Sequence, residues 1–206
     1  MSTRTDRYHH GNLPHALRAA AREVIEERGL GDFSLREVAR RAGVSHTAPA
    51  HHFGDVQGLL TSLATEGFNS LAEAMEHALE GITDPVERLA VMGGTYVEFA
   101  ETHPADCDVM FRVDVVDSTD AELAHAGLCA HAILVDTVRE LIESERIDVD
   151  VDTVTSLCWS MVQGLVVLGP KLELTCSVQG VPTPDRTELV RQFTDLLVNG
   201  LRSHRR

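Results

Sequence analysis

The sequence predicts an all-α protein: an N-terminal three-helix unit built around a helix-turn-helix, followed by a larger C-terminal helical domain. Three observations carry this. Apolar residues recur at spacings of three and four over most of the 206 residues. Capping residues and helix stops punctuate the chain at helical intervals. Aromatic residues make up only 4% of the chain, and glycine turns at short regular spacing are missing, which argues against a sandwich or barrel.

Asn12 can cap a first helix over about 13–28, with Pro14 in its first turn and Gly29 as its stop. Leu17, Ala20, Ala21, Val24 and Ile25 form its apolar stripe. Ser34 and Glu37 are spaced as a capping box and start a short helix to Arg41. Gly43 supplies a left-handed turn residue. Ser45 is placed to cap a third short helix to His52, and Asp55 a long one over 56–80. Pro85 opens a helix that ends near His103-Pro104, and residues 105–116 read as a short helix. Longer helices follow over 121–144 and 151–169, the second ended or kinked at Gly169-Pro170. Residues 175–184 read as a long loop. A final helix over 185–202 carries the stripe Leu189, Phe193, Leu196, Leu197, Gly200 and Leu201.

Charge divides the chain. The net charge is −14, yet residues 1–60 hold eight arginines against seven acidic residues and six of the eleven histidines. An acidic body repels nucleic acid, so any DNA contact must come from the N-terminal segment. Apolar residues are 43%, enough for a core. No run of 18 apolar residues and no signal-peptide core is found, so a cytoplasmic protein without membrane association is expected. Cys107, Cys129, Cys158 and Cys176 are widely spaced and read as free thiols. No G-x-S-x-G, P-loop, H-E-x-x-H or dinucleotide fingerprint occurs, so neither an enzyme nor a cofactor is expected.

The block Ser34–Phe53 has the parts of a helix-turn-helix. Ala39 is small where two helices would cross, Gly43 makes the turn, and Val44 can lock the interhelical angle. Ser45, His46 and Thr47 then sit where a second helix shows polar side chains to base edges. Pro49 removes one amide early in that helix, at modest cost. An ordinary helical hairpin satisfies the same spacing.

Residues 8–60 resemble the TetR-family DNA-binding domain. The likeness runs through the His-His-Gly-Asn-Leu entry, the Leu-Arg-Glu-Val-Ala-Arg-Arg-Ala-Gly-Val-Ser core and the His-Phe-x-Asp-x-x-x-Leu-Leu exit. The resemblance implies domains over 1–60, binding DNA, and 61–206, for ligand binding and dimerisation. It implies a ligand-responsive repressor that binds a palindromic operator as a homodimer. The expected DNA contacts are Ser34, Ser45, His46, Thr47, His51, His52 and the N-terminal Arg4 and Arg7. Two positions depart from the family. Ala50 stands where an aromatic, commonly tyrosine, reaches a phosphate, and Val56 stands where a lysine does.

The stretch Tyr-Val-Glu-Phe-Ala-Glu-Thr-His-Pro and the later Cys-Trp-Ser-Met-Val-Gln-Gly resemble a C-terminal ligand domain, with Gln163 where its Trp-x-x-x-His-Gly element has histidine. The expected pocket residues are Met92, Tyr96, Phe99, Met110, Phe111, Leu128, His131, Trp159 and Gln163, which suit a small, mostly apolar ligand. Each of them fits plain core packing as well. The expected dimer interface holds Leu157, Leu165, Leu189, Phe193 and Leu197. Two alternatives stay open. His125 and Cys129 lie one turn apart, with His131 and Cys107 as further candidates, and could make a zinc-responsive regulator. Ala50 and Val56 could mark a sensor or interaction protein of the same fold with weakened or lost DNA binding.

Overall fold

The computed structural model describes residues 13–204. All regular elements among them are helical, in the order α1 (Leu13–Arg28), α2 (Leu35–Arg41), α3 (Ala48–Phe53), α4 (Val56–Ala78), α5 (Pro85–Thr102), α6 (Pro104–Met110), α7 (Ala121–Glu145), α8 (Val151–Gln179) and α9 (Arg186–Leu201). Short 3₁₀ turns lie at Leu30–Asp32 and Arg202–His204. The chain forms two compact units. One holds the described residues through Phe68 together with Pro104–His125; the other holds Asn69–His103 and the described residues from Ala126 onward.

Local chemistry explains several helix ends. Gly29, at φ 71°, stops α1. Ser34 accepts from the Glu37 amide at the start of α2, and Asp84 accepts from that of Glu87 at the start of α5. Asp150 and Asp185 cap α8 and α9 in the same way, and Gly180 closes α8 in the left-handed conformation.

Three expectations are corrected. Helix α8 runs unbroken through Gly169-Pro170, so the loop shrinks to residues 180–185. Pro170 is exposed, which leaves water free to satisfy the carbonyl that loses its amide. Gly169 serves a different purpose: a Cβ there would lie 2.8 Å from the Arg186 guanidinium that packs over it. Second, the short helix expected over 105–116 stops at Met110, and turns fill the stretch before α7. Third, Ser45 does not cap α3. Residues 46–47 form a turn first, and the cap position falls to Thr47, which makes no side-chain cap bond. Pro49 has no amide to offer such a cap.

With α8 continuous, it is the one described helix long and apolar enough, by length and composition, to cross a membrane. The mean hydropathy of its most apolar stretch is 1.4. Its exposed apolar side chains matter below.

In the first unit, Leu17, Ala20, Ala21, Val24, Val38 and Leu59 form a core, with Leu13, Phe33, Leu35, Ala42, Val44 and Phe53 packed round it. In the second, α5 is the central element, packed on α8 and α9. Val190, Thr194, Val198 and Leu201 are the buried residues of α9. Gly93 lets α5 approach closely, since a Cβ there would stand 2.7 Å from Cγ1 of Val190.

Candidate nucleic-acid interface

The turn between α2 and α3 is built on two small residues. Ala39 is 1% exposed, which brings the helices together, and Gly43 takes φ 67°, where a side chain would be strained. The Val44 amide donates to the Ala39 carbonyl at 3.0 Å, and the Val44 side chain packs on the core. The chain direction is thereby fixed where Ser45, His46 and Thr47 emerge. All three are exposed, and the Ser45 and Thr47 hydroxyls lie 3.1 Å apart.

His51 and His52 follow on the last turn of α3, both exposed, with ring centroids 5.6 Å apart. Ala50 is exposed on the same helix, and Val56 is 39% exposed at the first position of α4. Asp55 accepts from the Gly58 amide at 2.9 Å, as a cap should. Ser34 is exposed at the start of α2, its hydroxyl engaged as the cap. Arg4 and Arg7 lie outside the described residues.

Most arginines of this unit are tied to carboxylates. Glu37 binds Arg40, Arg41 and Arg28, and the Arg40 hydrogen bond chiefly holds its carboxyl down at about 2. Arg41 also pairs with Glu27 and Glu23. Deeper in the unit, Arg22 Nε donates to both oxygens of Asp106 (3.0 and 2.9 Å), and its Nη2 to Glu66 at 2.8 Å. Arg18 donates to Glu66 as well. Asp106 is 2% exposed. This network ties α1 to α4 and α6, and no local pattern announces it, because its partners lie 44 to 84 residues apart.

The expected pocket residues divide between the units. Met92, Tyr96 and Phe99 are buried on α5. The Tyr96 hydroxyl donates to Oε1 of Gln163 on α8, so Gln163 has a partner within this unit. Phe99 stacks on His103 with centroids 4.5 Å apart. The His131 and Trp159 rings lie 5.8 Å apart, and both residues are exposed, as is Leu128 at 68%. Met110 and Phe111 belong to the other unit, where Phe111 meets the edge of Phe68. Two residues absent from the sequence expectation are Thr137 and Thr155. Their hydroxyls are buried in the second unit without a hydrogen-bond partner. A threonine adds nothing to an apolar stripe, so periodicity could not find them.

Of the expected interface residues, Leu157 is exposed, and Leu165, Leu189, Phe193 and Leu197 are half-buried. The structure adds others. Leu196 is 74% exposed on α9, and Val167, Leu168, Leu172, Leu174 and Val178 are exposed on α8. The start of α8 presents a shallow, open surface of Asp150, Asp152, Thr153, Ser156, Leu157 and Ser160.

His125 and Cys129 are exposed on α7. Among the described residues no three potential metal ligands gather. All four cysteines are free thiols, and burial pushes Cys107 and Cys158 up to about 12.

Residues 17–63 match the model for bacterial regulatory proteins of the tetR family, and residues 89–197 match that for the tetracyclin repressor-like C-terminal domain. The chain is similar to the HTH-type transcriptional regulator BetI of Serratia proteamaculans (strain 568), with 34% identity over 76 residues. That match covers 35% of this chain and 38% of the relative's length. Among solved structures, a protein of unknown function from Rhodococcus sp. RHA1 is 31% identical, with a TM-score of 0.79 and coverage of 95% and 98% of the two chains. The fatty acid degradation regulator FadR from Bacillus halodurans is 20% identical, with a TM-score of 0.73 and the same coverage, and shows likeness of fold alone.

Proposed function

The chain belongs to the TetR family of bacterial regulatory proteins and is a transcriptional regulator, not an enzyme; we propose that it is a ligand-responsive repressor that binds a palindromic operator as a homodimer. One observation carries the DNA reading: a left-handed glycine turn after which Ser45, His46 and Thr47 are exposed ahead of α3. In this reading His46 and Thr47 meet base edges in the major groove. Ser34, His51, His52, Arg4 and Arg7 contact the backbone and set the register. The protein then works in the cytoplasm, where its operator is.

Dimerisation is supported by the apolar side chains that α8 and α9 leave uncovered. One subunit contacts one half-site, and two related by a twofold axis read a palindrome. Leu157, Leu165, Leu189, Phe193 and Leu197 belong to that interface, with Leu168 and Leu196 at its exposed edge. The same apolar surface accounts for the hydropathy of α8 without a membrane. A small, mostly apolar ligand bound among Met92, Tyr96, Phe99, Trp159 and Gln163 shifts the dimer between spacings of its recognition helices. It releases DNA to the extent that it prefers one spacing.

A second reading has its own observation. Ala50 and Val56 are exposed and carry neither a hydroxyl nor an ammonium, so two phosphate anchors of the family are missing. A sensor of the same fold that has lost DNA binding fits this. Selection from a random duplex library separates the two readings. A repressor enriches an inverted repeat, whereas a sensor without DNA binding enriches nothing.

A further inference from the structure

Helix α8 changes character at Gly169-Pro170. Up to that point it buries one face, through Val154, Thr155, Cys158, Val162 and Gly169. From Pro170 to Gln179 every residue is exposed except the half-buried Cys176. The backbone is weakest at the same place. Pro170 has no amide, so the Val166 carbonyl loses its helical donor. Gly169 adds the backbone freedom of a residue without Cβ. Sharp kinks form at such sites, yet α8 is continuous to Gln179.

One side chain bridges the weak point. Arg186, the first residue of α9, lies across Gly169: a Cβ there would stand 2.8 Å from Nη1, 3.0 Å from Cζ and 3.2 Å from Cδ. Beyond the weak point, Arg186 Nη2 donates to Oε1 of Glu173 at 2.7 Å. Its Nη1 pairs with Oε1 of Glu101 on α5 at 3.1 Å. A planar guanidinium can serve two carboxylates at once from one fixed position. Helix α5 is itself held closely to α9 at Gly93 and Val190. Arg186 therefore ties the exposed end of α8 to the packed α5–α9 pair, and glycine at 169 leaves the room for it.

The exposed apolar residues of α8 give this tie a consequence. Leu165, Leu168 and Leu172 follow at intervals of three and four, and Val167, Leu174 and Val178 at seven and four. Each set shares one face of a straight helix, and each set crosses Gly169-Pro170. A bend there would split both.

We infer that Gly169-Pro170 is a joint in α8 and that Arg186 is its latch. Bound to Glu173, Arg186 holds the two halves of α8 in line; released, it lets residues 170–179 move apart from the rest. Its regulatory side rests on the dimer reading: the aligned apolar residues face the second subunit, so opening the latch weakens association.

The test is hydrogen exchange on the full-length chain, followed by mass spectrometry. Glu173→Gln changes an exposed residue and leaves Arg186 on Glu101. Arg186→Met removes the latch, and Gly169→Ala pushes the guanidinium off its seat. Each should speed exchange of residues 171–179 about three- to tenfold, as expected when a partly exposed ion pair no longer opposes local opening. Peptides from α5 and from residues 154–166 should stay at wild-type rates. Pro170→Ala returns an amide to the Val166 carbonyl, so adding it to Glu173→Gln should restore protection. Unchanged exchange in all three variants, or an equal rise in α5, overturns the latch. Failure of Pro170→Ala to restore protection overturns the joint. Sedimentation equilibrium on wild type and Glu173→Gln reads the regulatory side, with a higher dimer dissociation constant expected in the variant. An equal constant overturns that side alone. A wild type that is monomeric throughout overturns the dimer reading and the regulatory side with it, while the exchange result still decides the latch.

Discussion

Arg22→Met removes the guanidinium that neutralises Asp106. The aspartate is 2% exposed, and both of its oxygens accept from Arg22 Nε. Breaking a buried pair by deleting one partner costs about 3–5 kcal/mol, because the other charge stays buried and unpaired. Here Arg22 and Glu66 keep side-chain exposures of 25% and 30%, so water reaches part of the network. Arg18 remains on Glu66. The expected loss is therefore nearer 2–4 kcal/mol, discounted from that range for partial solvation. Methionine keeps the apolar stem of the arginine, so little of the loss comes from packing. Asp106→Asn keeps the shape and removes the charge, and should cost about 1–2 kcal/mol as a weakened hydrogen bond. The two changes share one interaction, so the double variant should lose at least about 1 kcal/mol less than the sum. Urea unfolding followed by circular dichroism, at one fixed protein concentration, measures all three. Losses under about 0.5 kcal/mol for Arg22→Met, or strict additivity, would refute the buried network as a fastening of α6 onto α1.

Three further outcomes are expected. The Glu37 carboxyl sits at about 2 against an ordinary 4.5, so the stability it contributes is complete above 4.5 and is lost as pH falls through about 2. Wild type should thus melt above Glu37→Gln at pH 7, with the gap in Tm narrowing below pH 4.5; a gap as wide at pH 2 as at pH 7 contradicts this. Leu196→Glu alters a side chain already 74% exposed in the protomer, so circular dichroism should be unchanged while light scattering reports monomers. A folded dimer would take Leu196 out of the interface. Ala50→Tyr with Val56→Lys should tighten binding to all duplexes alike and steepen the salt slope by about two for the dimer, all of it from the lysines. An unchanged slope in a well-folded variant rejects docking in the family's geometry.

The parts of this molecule legible in its sequence are those governed by neighbours a few residues apart. The stripe of α1, the Ser34–Glu37 cap and the left-handed Gly43 are all local, and the structure has each of them. Proline misled where its surroundings decide its effect. Pro170 reads as a break, yet on an exposed helix face it costs one hydrogen bond that water replaces, so α8 continues for nine residues beyond it. That error hid Leu172, Leu174 and Val178 as exposed apolar groups. In α9 the stripe was legible, but not its division. Val190, Thr194 and Val198 are buried, while Leu196 points outward. The Arg22–Asp106 network and the buried hydroxyls of Thr137 and Thr155 depend on tertiary placement, which no local spacing encodes.

The central claim is that the exposed residues after the Gly43 turn read bases. Thr47→Ala tests it most directly, because Thr47 is exposed and makes no cap bond, so its loss leaves the fold alone. Dissociation constants of wild type and variant are compared on the duplex selected by the wild type and on a scrambled duplex of the same composition. The expected loss is about 1–3 kcal/mol on the selected site and close to none on the scrambled one. An equal loss on both, or none on either, would contradict base reading from this turn.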